Sequence, residues 1–228
     1  MFFDPMYFLW LAPALLLAGL AQLWISSAYS RASARPARMS GYSAARRILD
    51  AAHLQDVQIE QVAGHLSDHY DPSAKVLRLS GEVFHGQTLS AVGIAAHEAG
   101  HAIQDAVGYI PLVVRNLAVP VAGFGSSIGM GLLFVGILLT FKPLIWIGLI
   151  LFSAVAVFQL VNLPVEFNAS SRAKALLVDL GIVPPEDMGA VRNVLSAAAL
   201  TYVAATLQSV LTVAYYATRF AGVGRSDD

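Results

Sequence analysis

The chain contains no cysteine. Disulfides, thiolate nucleophiles, cysteine-ligated zinc and iron–sulfur clusters are therefore excluded, and any metal site has to be built from His, Asp and Glu. Charge is scarce as well: 13% of the residues are charged, where a soluble domain carries roughly 25%. A net charge of −1 offers nucleic acid no electrostatic footing. No internal repeat, low-complexity tract or glycine-rich nucleotide-binding pattern is present. Histidine is missing from the whole of the chain beyond His101.

What replaces charge is apolar length. Of the 228 residues 57% are hydrophobic, and the mean hydropathy is +0.63. A helix crosses a bilayer with about 20 apolar residues, and four windows reach that length: Met6–Ile25, Val119–Leu139, Leu144–Leu163, and the stretch between Arg192 and Arg219. Ser196, Thr201, Thr206, Gln208, Ser209 and Thr212 weaken the last, which fits either a span or a helix packed in the bundle or at the interface. The first is followed by Ala-Ser-Ala at 32–34, as a cleavable signal would be. Its amino end carries Asp4 instead of a basic residue, and its apolar core is too long, so it reads as a retained anchor.

Basic residues stay on the cytoplasmic side of a membrane. Arg31, Arg35, Arg38, Arg46, Arg47, Lys75, Arg78 and Arg115 lie between the first two windows, and Arg172, Lys174 and Arg192 between the last two. The central loop has only Lys142. The expected organisation is an N-terminal transmembrane anchor (1–29), a cytoplasmic insert (30–118) and a transmembrane hairpin turning at Pro143 (119–163). A second cytoplasmic segment (164–193), a fourth membrane or membrane-packed helix (194–218) and a polar tail (219–228) follow. The fold class is thus a mainly α membrane protein of about four transmembrane helices, with a small α+β cytoplasmic insert.

Within the insert, Ala44, Ala45, Ile48, Leu49 and Ala52 recur at helical spacing over 40–54, with Ser40 or Ser43 as the cap. Residues 57–62 and 75–80 alternate as strands and predict a β-hairpin, with Asp68–Pro72 as a turn. A further helix runs from Thr88 or Ser90 to about Val107.

That helix carries the stretch HEAGH, residues 97–101. Residues four apart share a helix face, with β-carbons about 6 Å apart, so the imidazoles of His97 and His101 can converge on one tetrahedral Zn²⁺. Glu98 is turned about 100° away from His97. It is placed to act as a general base on water, not as a ligand. The alternative is a chance match on a buried helix, but a carboxylate buried among Ala and Ile without purpose costs roughly several kcal/mol. A catalytic zinc takes three protein ligands. Val107 occupies the place where a metzincin would have its third histidine, so the third ligand is a carboxylate or an upstream histidine. Glu166, just past the third window, is the candidate, with Asp105, four residues beyond His101, as its rival.

Other polar residues fit either a site or the scaffold. His65, His69, His85 and Asp68 precede the motif helix and suit substrate binding or transition-state contacts as well as structure. Tyr202 suits an oxyanion donor or a core tyrosine, and Arg172 a carbonyl ligand or an ion-pair partner. Asp68 and Asp71 suit bracing of their turn, and His53 reads as a surface residue.

Three segments together resemble the YugP-like family of membrane-anchored neutral zinc metallopeptidases: SDHYDPSAKVLRLS (67–80), AAHEAGHAIQ (95–104) and LPVEFNASSRA (163–173). The resemblance implies a peptidase holding one Zn²⁺ per chain, with His97 and His101 as ligands and Glu98 as catalytic acid and base. The segment around Glu166 is similar to the Glu-x-x-x-Asp element of gluzincins, in which the aspartate orients a zinc-ligating histidine. Ser170 stands at that position here, leaving Asn168, Asp105 or a backbone carbonyl for the role. The expected protein is integral to a bacterial cytoplasmic membrane with its active site facing the cytoplasm. It would hydrolyse peptides or membrane proteins, and the strand at Val76–Leu79 would pair with an extended substrate. Two other readings stay open. One is an intramembrane protease, although DLGIVPP at 179–185 lacks the Asp-Gly element those enzymes use. The other is a membrane scaffold or regulator with structural zinc, which has no need of Glu98.

Overall fold

In the computed structural model residues 4–221 are described. The elements in chain order are α1 (Pro5–Ser33), α2 (Gly41–Ala51), β1 (Gln58–Val62), β2 (His69–Asp71), β3 (Val76–Ser80), α3 (Gly81–His85) and α4 (Leu89–Ala106). After them come α5 (Ile110–Phe124), a π-helical turn (Gly125–Gly129), α6 (Met130–Leu138), α7 (Lys142–Asp179) and α8 (Met188–Ala221). The chain forms two compact units. Of the described residues, one comprises 4–20, Val114–Leu163 and 201–221; the other comprises Ala21–Val113 and Pro164–Leu200.

Among the described residues four helical stretches are long and apolar enough to cross a membrane: α1, Ile110–Leu138, α7 and α8. The fourth is a continuous helix in spite of its hydroxyl residues, for a local reason. Thr206 donates to the Tyr202 carbonyl at 2.8 Å, Ser209 to Thr206 at 2.9 Å and Thr212 to Gln208 at 2.8 Å. Hydroxyls satisfied by their own helix need no water.

In the first unit, glycines let the π turn and α6 approach α7. A β-carbon on Gly125 would run into the Leu151 carbonyl, and one on Gly148 into the Leu133 amide. The connection between α6 and α7 turns at Thr140, which has φ +52°, and not at Pro143. Pro143 lies in the first turn of α7, where a missing N–H costs nothing.

The second unit holds the sheet. α2 begins where the cap predicts, with the Ser40 hydroxyl accepting from the Ser43 amide at 3.3 Å. Its buried Ala44, Ala45, Ile48 and Leu49 meet Leu77, Leu79, Val83, Leu89 and Val92 in one core with Leu177, Ile182 and Val191. α4 starts at the first of its two expected starts, with the Thr88 hydroxyl accepting from the Ala91 amide at 3.2 Å.

The expected hairpin of 57–62 with 75–80 is corrected. The sheet order is β1-β3-β2; β1 and β3 run parallel, Gln58 opposite Val76, and β2 pairs antiparallel with β3 on the other side, His69 opposite Arg78. The true turn lies later than Asp68–Pro72. The Asp71 carboxylate accepts from the amides of Ser73 and Ala74 at 2.9 and 3.1 Å, and Lys75 adopts φ +52°. Three residues of strand give too little alternation to be seen in sequence. The central position of β3 explains its near-continuous burial. It also removes the expected substrate edge at Val76–Leu79, because both sides of β3 are already paired; the free edges belong to β1 and β2.

Candidate metal centre

α4 is a narrow helix. Ala95, Ala96, Ala99, Gly100 and Ala102 are buried, and a β-carbon on Gly100 would come 2.8 Å from the Ala169 carbonyl of α7. The missing side chain brings the α7 backbone against α4 at the level of the histidines. Glu166, Ala169, Ser170 and Ala173 repeat at helical spacing on the buried face of α7. That face presents Glu166 to the two imidazoles.

The geometry converges on one point. Nε2 of His97 is 3.2 Å from Glu166 Oε2, and Nε2 of His101 is 3.8 Å from the same oxygen. The rings stand 4.8 Å apart at 87°, and the three donor atoms lie within 4.8 Å of one another. A tetrahedral ion with bonds of about 2.0–2.1 Å has ligand-to-ligand edges of about 3.3 Å, close to the two nitrogen-to-carboxylate spacings of 3.2 and 3.8 Å. Glu166 is only 4% exposed. Among the described residues its ion-pair partners are the two imidazoles alone, so no lysine or arginine supplies the compensation a buried carboxylate requires. Two nitrogens and a carboxylate oxygen are the donor set zinc favours.

The outer nitrogens are also held. Nδ1 of His97 meets the Ser170 hydroxyl at 3.1 Å, and Nδ1 of His101 meets Gln104 Oε1 at 2.9 Å. Burial favours a neutral His101, but the carboxylates of Glu166 and Glu98 outweigh it and push the imidazole pKa up.

The chain matches the family described as "Putative neutral zinc metallopeptidase" over residues 7–221. It belongs to that family. The "Putative membrane protease YugP" of Bacillus subtilis (strain 168) is 50% identical to it over 182 residues, 80% of each chain. No solved structure matches. The family resemblance carried by the segments at 67–80, 95–104 and 163–173 therefore holds along nearly the full length.

In this family member the remaining candidates are distributed as follows. Glu98 is half-buried and has no ion-pair partner among the described residues. Asp105 lies outside the three-residue cluster and accepts from the Tyr70 hydroxyl at 2.9 Å; burial and that hydrogen bond push the Tyr70 pKa well up. His85 pairs with Gln61 at 2.9 Å, and His65 with Glu82 at 2.8 Å on the exposed surface. Asp68 accepts from the Ser80 amide at 2.8 Å, holding the segment before β2 to the end of β3. His69 meets the Ser67 carbonyl at 2.8 Å, and His53 ends α2 with φ +59°. Tyr202 is half-buried in α8, its carbonyl occupied by Thr206. Arg172 Nε donates to Asn168 Oδ1 at 2.8 Å.

Two partners went unrecognised in sequence. Ser170 faces His97 through its hydroxyl. Gln104, facing His101, had one available signal: an uncharged polar residue three positions after a candidate ligand shares its face, and in so apolar a helix it needs a partner.

Proposed function

We propose that the protein is a membrane-embedded zinc endopeptidase in which His97, His101 and Glu166 hold one Zn²⁺ per chain and Glu98 is the general base and acid. The observation that carries this reading is the convergence of a buried carboxylate and two imidazole nitrogens within 4.8 Å, in a chain whose family is described as "Putative neutral zinc metallopeptidase". When bound, Zn²⁺ supplies Lewis-acid polarisation and lowers the pKa of water toward about 7.

The chain's own residues do the rest. Glu98 follows His97 directly and points about 100° around α4 from it, so its carboxylate flanks the ligands without competing with them. With no ion-pair partner among the described residues, it is available to take a proton from an attacking water and to deliver that proton to the leaving amine. Ser170 and Gln104 hold the imidazoles by their outer nitrogens, and the contact of Gly100 with Ala169 sets the distance between α4 and α7. The basic residues of 30–118 and 164–193 support a cytoplasmic site, and the likeness to the bacterial protein named "Putative membrane protease YugP" supports a bacterial membrane, with peptides and membrane proteins as substrates.

The decisive experiment is Glu98→Gln in the purified full-length protein, with zinc content and cleavage of a denatured membrane substrate both measured. The expected result is full zinc content with cleavage reduced about 10²- to 10⁴-fold. Cleavage that survives the substitution rejects Glu98 as the base and favours a scaffold with structural metal.

A further inference from the structure

Gln104 is wholly buried, with 0% exposure, and both ends of its amide are engaged. Nε2 donates to the Val165 carbonyl at 2.8 Å and to Asn168 Oδ1 at 3.0 Å, while Oε1 meets Nδ1 of His101 at 2.9 Å. The orientation is forced. A backbone carbonyl only accepts, so the amide nitrogen must face Val165. Asn168 is set by the same logic: a guanidinium only donates, so the atom that Arg172 Nε approaches at 2.8 Å is the Asn168 oxygen. That oxygen therefore also faces Gln104 and takes its second N–H. With both donors used, Gln104 can present only its oxygen to His101, and an imidazole nitrogen facing that oxygen must carry a proton. Neutral His101 is thereby held as the Nδ1–H tautomer, its lone pair on Nε2, the nitrogen 3.8 Å from Glu166.

His97 is held differently. Its Nδ1 faces the Ser170 hydroxyl at 3.1 Å, and a hydroxyl donates or accepts as required. Ser170 therefore imposes no tautomer; Gln104 does.

We propose that Gln104 is a positioning residue, which sets the tautomer and ring orientation of His101 and so raises the affinity of the site for Zn²⁺. The proposal rests on the metal reading above and deepens it. Neutral histidine in water favours the proton on Nε2, the nitrogen a metal needs free. Without the Gln104 oxygen, ion binding would first have to move that proton and fix the ring. Partners of this kind are worth about 10- to 100-fold in metal affinity.

The test compares wild type with Gln104→Met, which keeps the side-chain length but removes the amide oxygen. The full-length protein is prepared with ¹⁵N-labelled histidine; the chain has six histidines, and His101→Asn assigns the signal. Long-range ¹⁵N–¹H spectra of metal-free protein are recorded at alkaline pH, where imidazole is neutral. The wild type should show His101 protonated on Nδ1, and Gln104→Met should move the proton toward Nε2. Zn²⁺ affinity, measured by competition with a chelator, should fall about 10- to 100-fold in the variant. A purely structural role would lower the melting temperature of the metal-free variant and leave tautomer and affinity unchanged; that outcome overturns the proposal. So does a wild type protonated on Nε2, which decides the question even if Gln104→Met does not fold. A wild type with the Nδ1 proton that takes up no Zn²⁺ overturns the metal reading and the affinity claim together.

Discussion

Glu166 Oε2 stands 3.2 Å from His97 Nε2, across 69 positions of chain. The carboxylate lies on α7, two residues past Pro164, and the imidazole lies in the middle of α4. Neither helix has a metal site alone. Replacing Glu166 by Gln keeps the shape of the cluster and removes its only carboxylate. Zinc content should fall from about one ion per chain toward none after dialysis against a weak chelator, and His97→Ala and His101→Ala should behave alike. Because an ion bound only by the folded state stabilises it by about 2.7 kcal/mol at 100 times its dissociation constant, added Zn²⁺ should raise the melting temperature of wild type and leave that of Glu166→Gln unmoved.

The contact between Gly100 and Ala169 predicts a separate effect. A β-carbon at position 100 would lie 2.8 Å from a backbone carbonyl that cannot rotate away. Gly100→Ala gains up to about 1 kcal/mol of helix propensity, yet overpacking costs about 1–3 kcal/mol. The net expectation is a lower melting temperature together with weaker Zn²⁺ binding, because Glu166 retreats with the α7 backbone. Calorimetry and chelator competition on one preparation check both halves.

Asp71 links the β2–β3 turn to Arg78. The Arg78 hydrogen bond at 2.6 Å, helped by backbone amides of the turn, holds its carboxyl below the usual carboxylate range. The folded-state pKa is depressed, so the stability it contributes is complete above the unfolded value of about 3.9 and is lost as the pH falls through the lower folded value. Asp71→Asn should melt below wild type at neutral pH, and the gap should close in acid. Melting curves between about pH 7 and pH 3 test this, with an undiminished gap at the acid end counting against it.

Removing the Ser170 hydroxyl should matter less than removing the amide of Gln104. Ser170→Ala takes away one neutral hydrogen bond, worth about 0.5–1.5 kcal/mol, and leaves His97 free to choose its tautomer as before. Chelator competition should show a loss in Zn²⁺ affinity of no more than about 10-fold, smaller than that of Gln104→Met. The reverse ranking would mean that His97, not His101, is the imidazole whose outer partner controls the site.

What could be read from the chain alone was whatever depends on residues close together in it. The apolar windows foretold helices because main-chain hydrogen bonds must close locally where no water is available. The starts of α2 and α4 were legible to within a few residues, at Ser40 or Ser43 and at Thr88 or Ser90, because a cap acts within three residues. His97 and His101 were legible as a pair because four residues return to one helix face. Tertiary structure decided the rest. The parallel pairing of β1 with β3 and the insertion of β2 depend on contacts between strands, to which a short alternating run is blind. The meeting of Glu166 with the two imidazoles requires α7 to lie against the bare backbone of Gly100. Ser170 and Gln104 acquire their roles only there, because hydrogen bonds between helices are set by packing, and packing is a property of the whole core, not of any one segment.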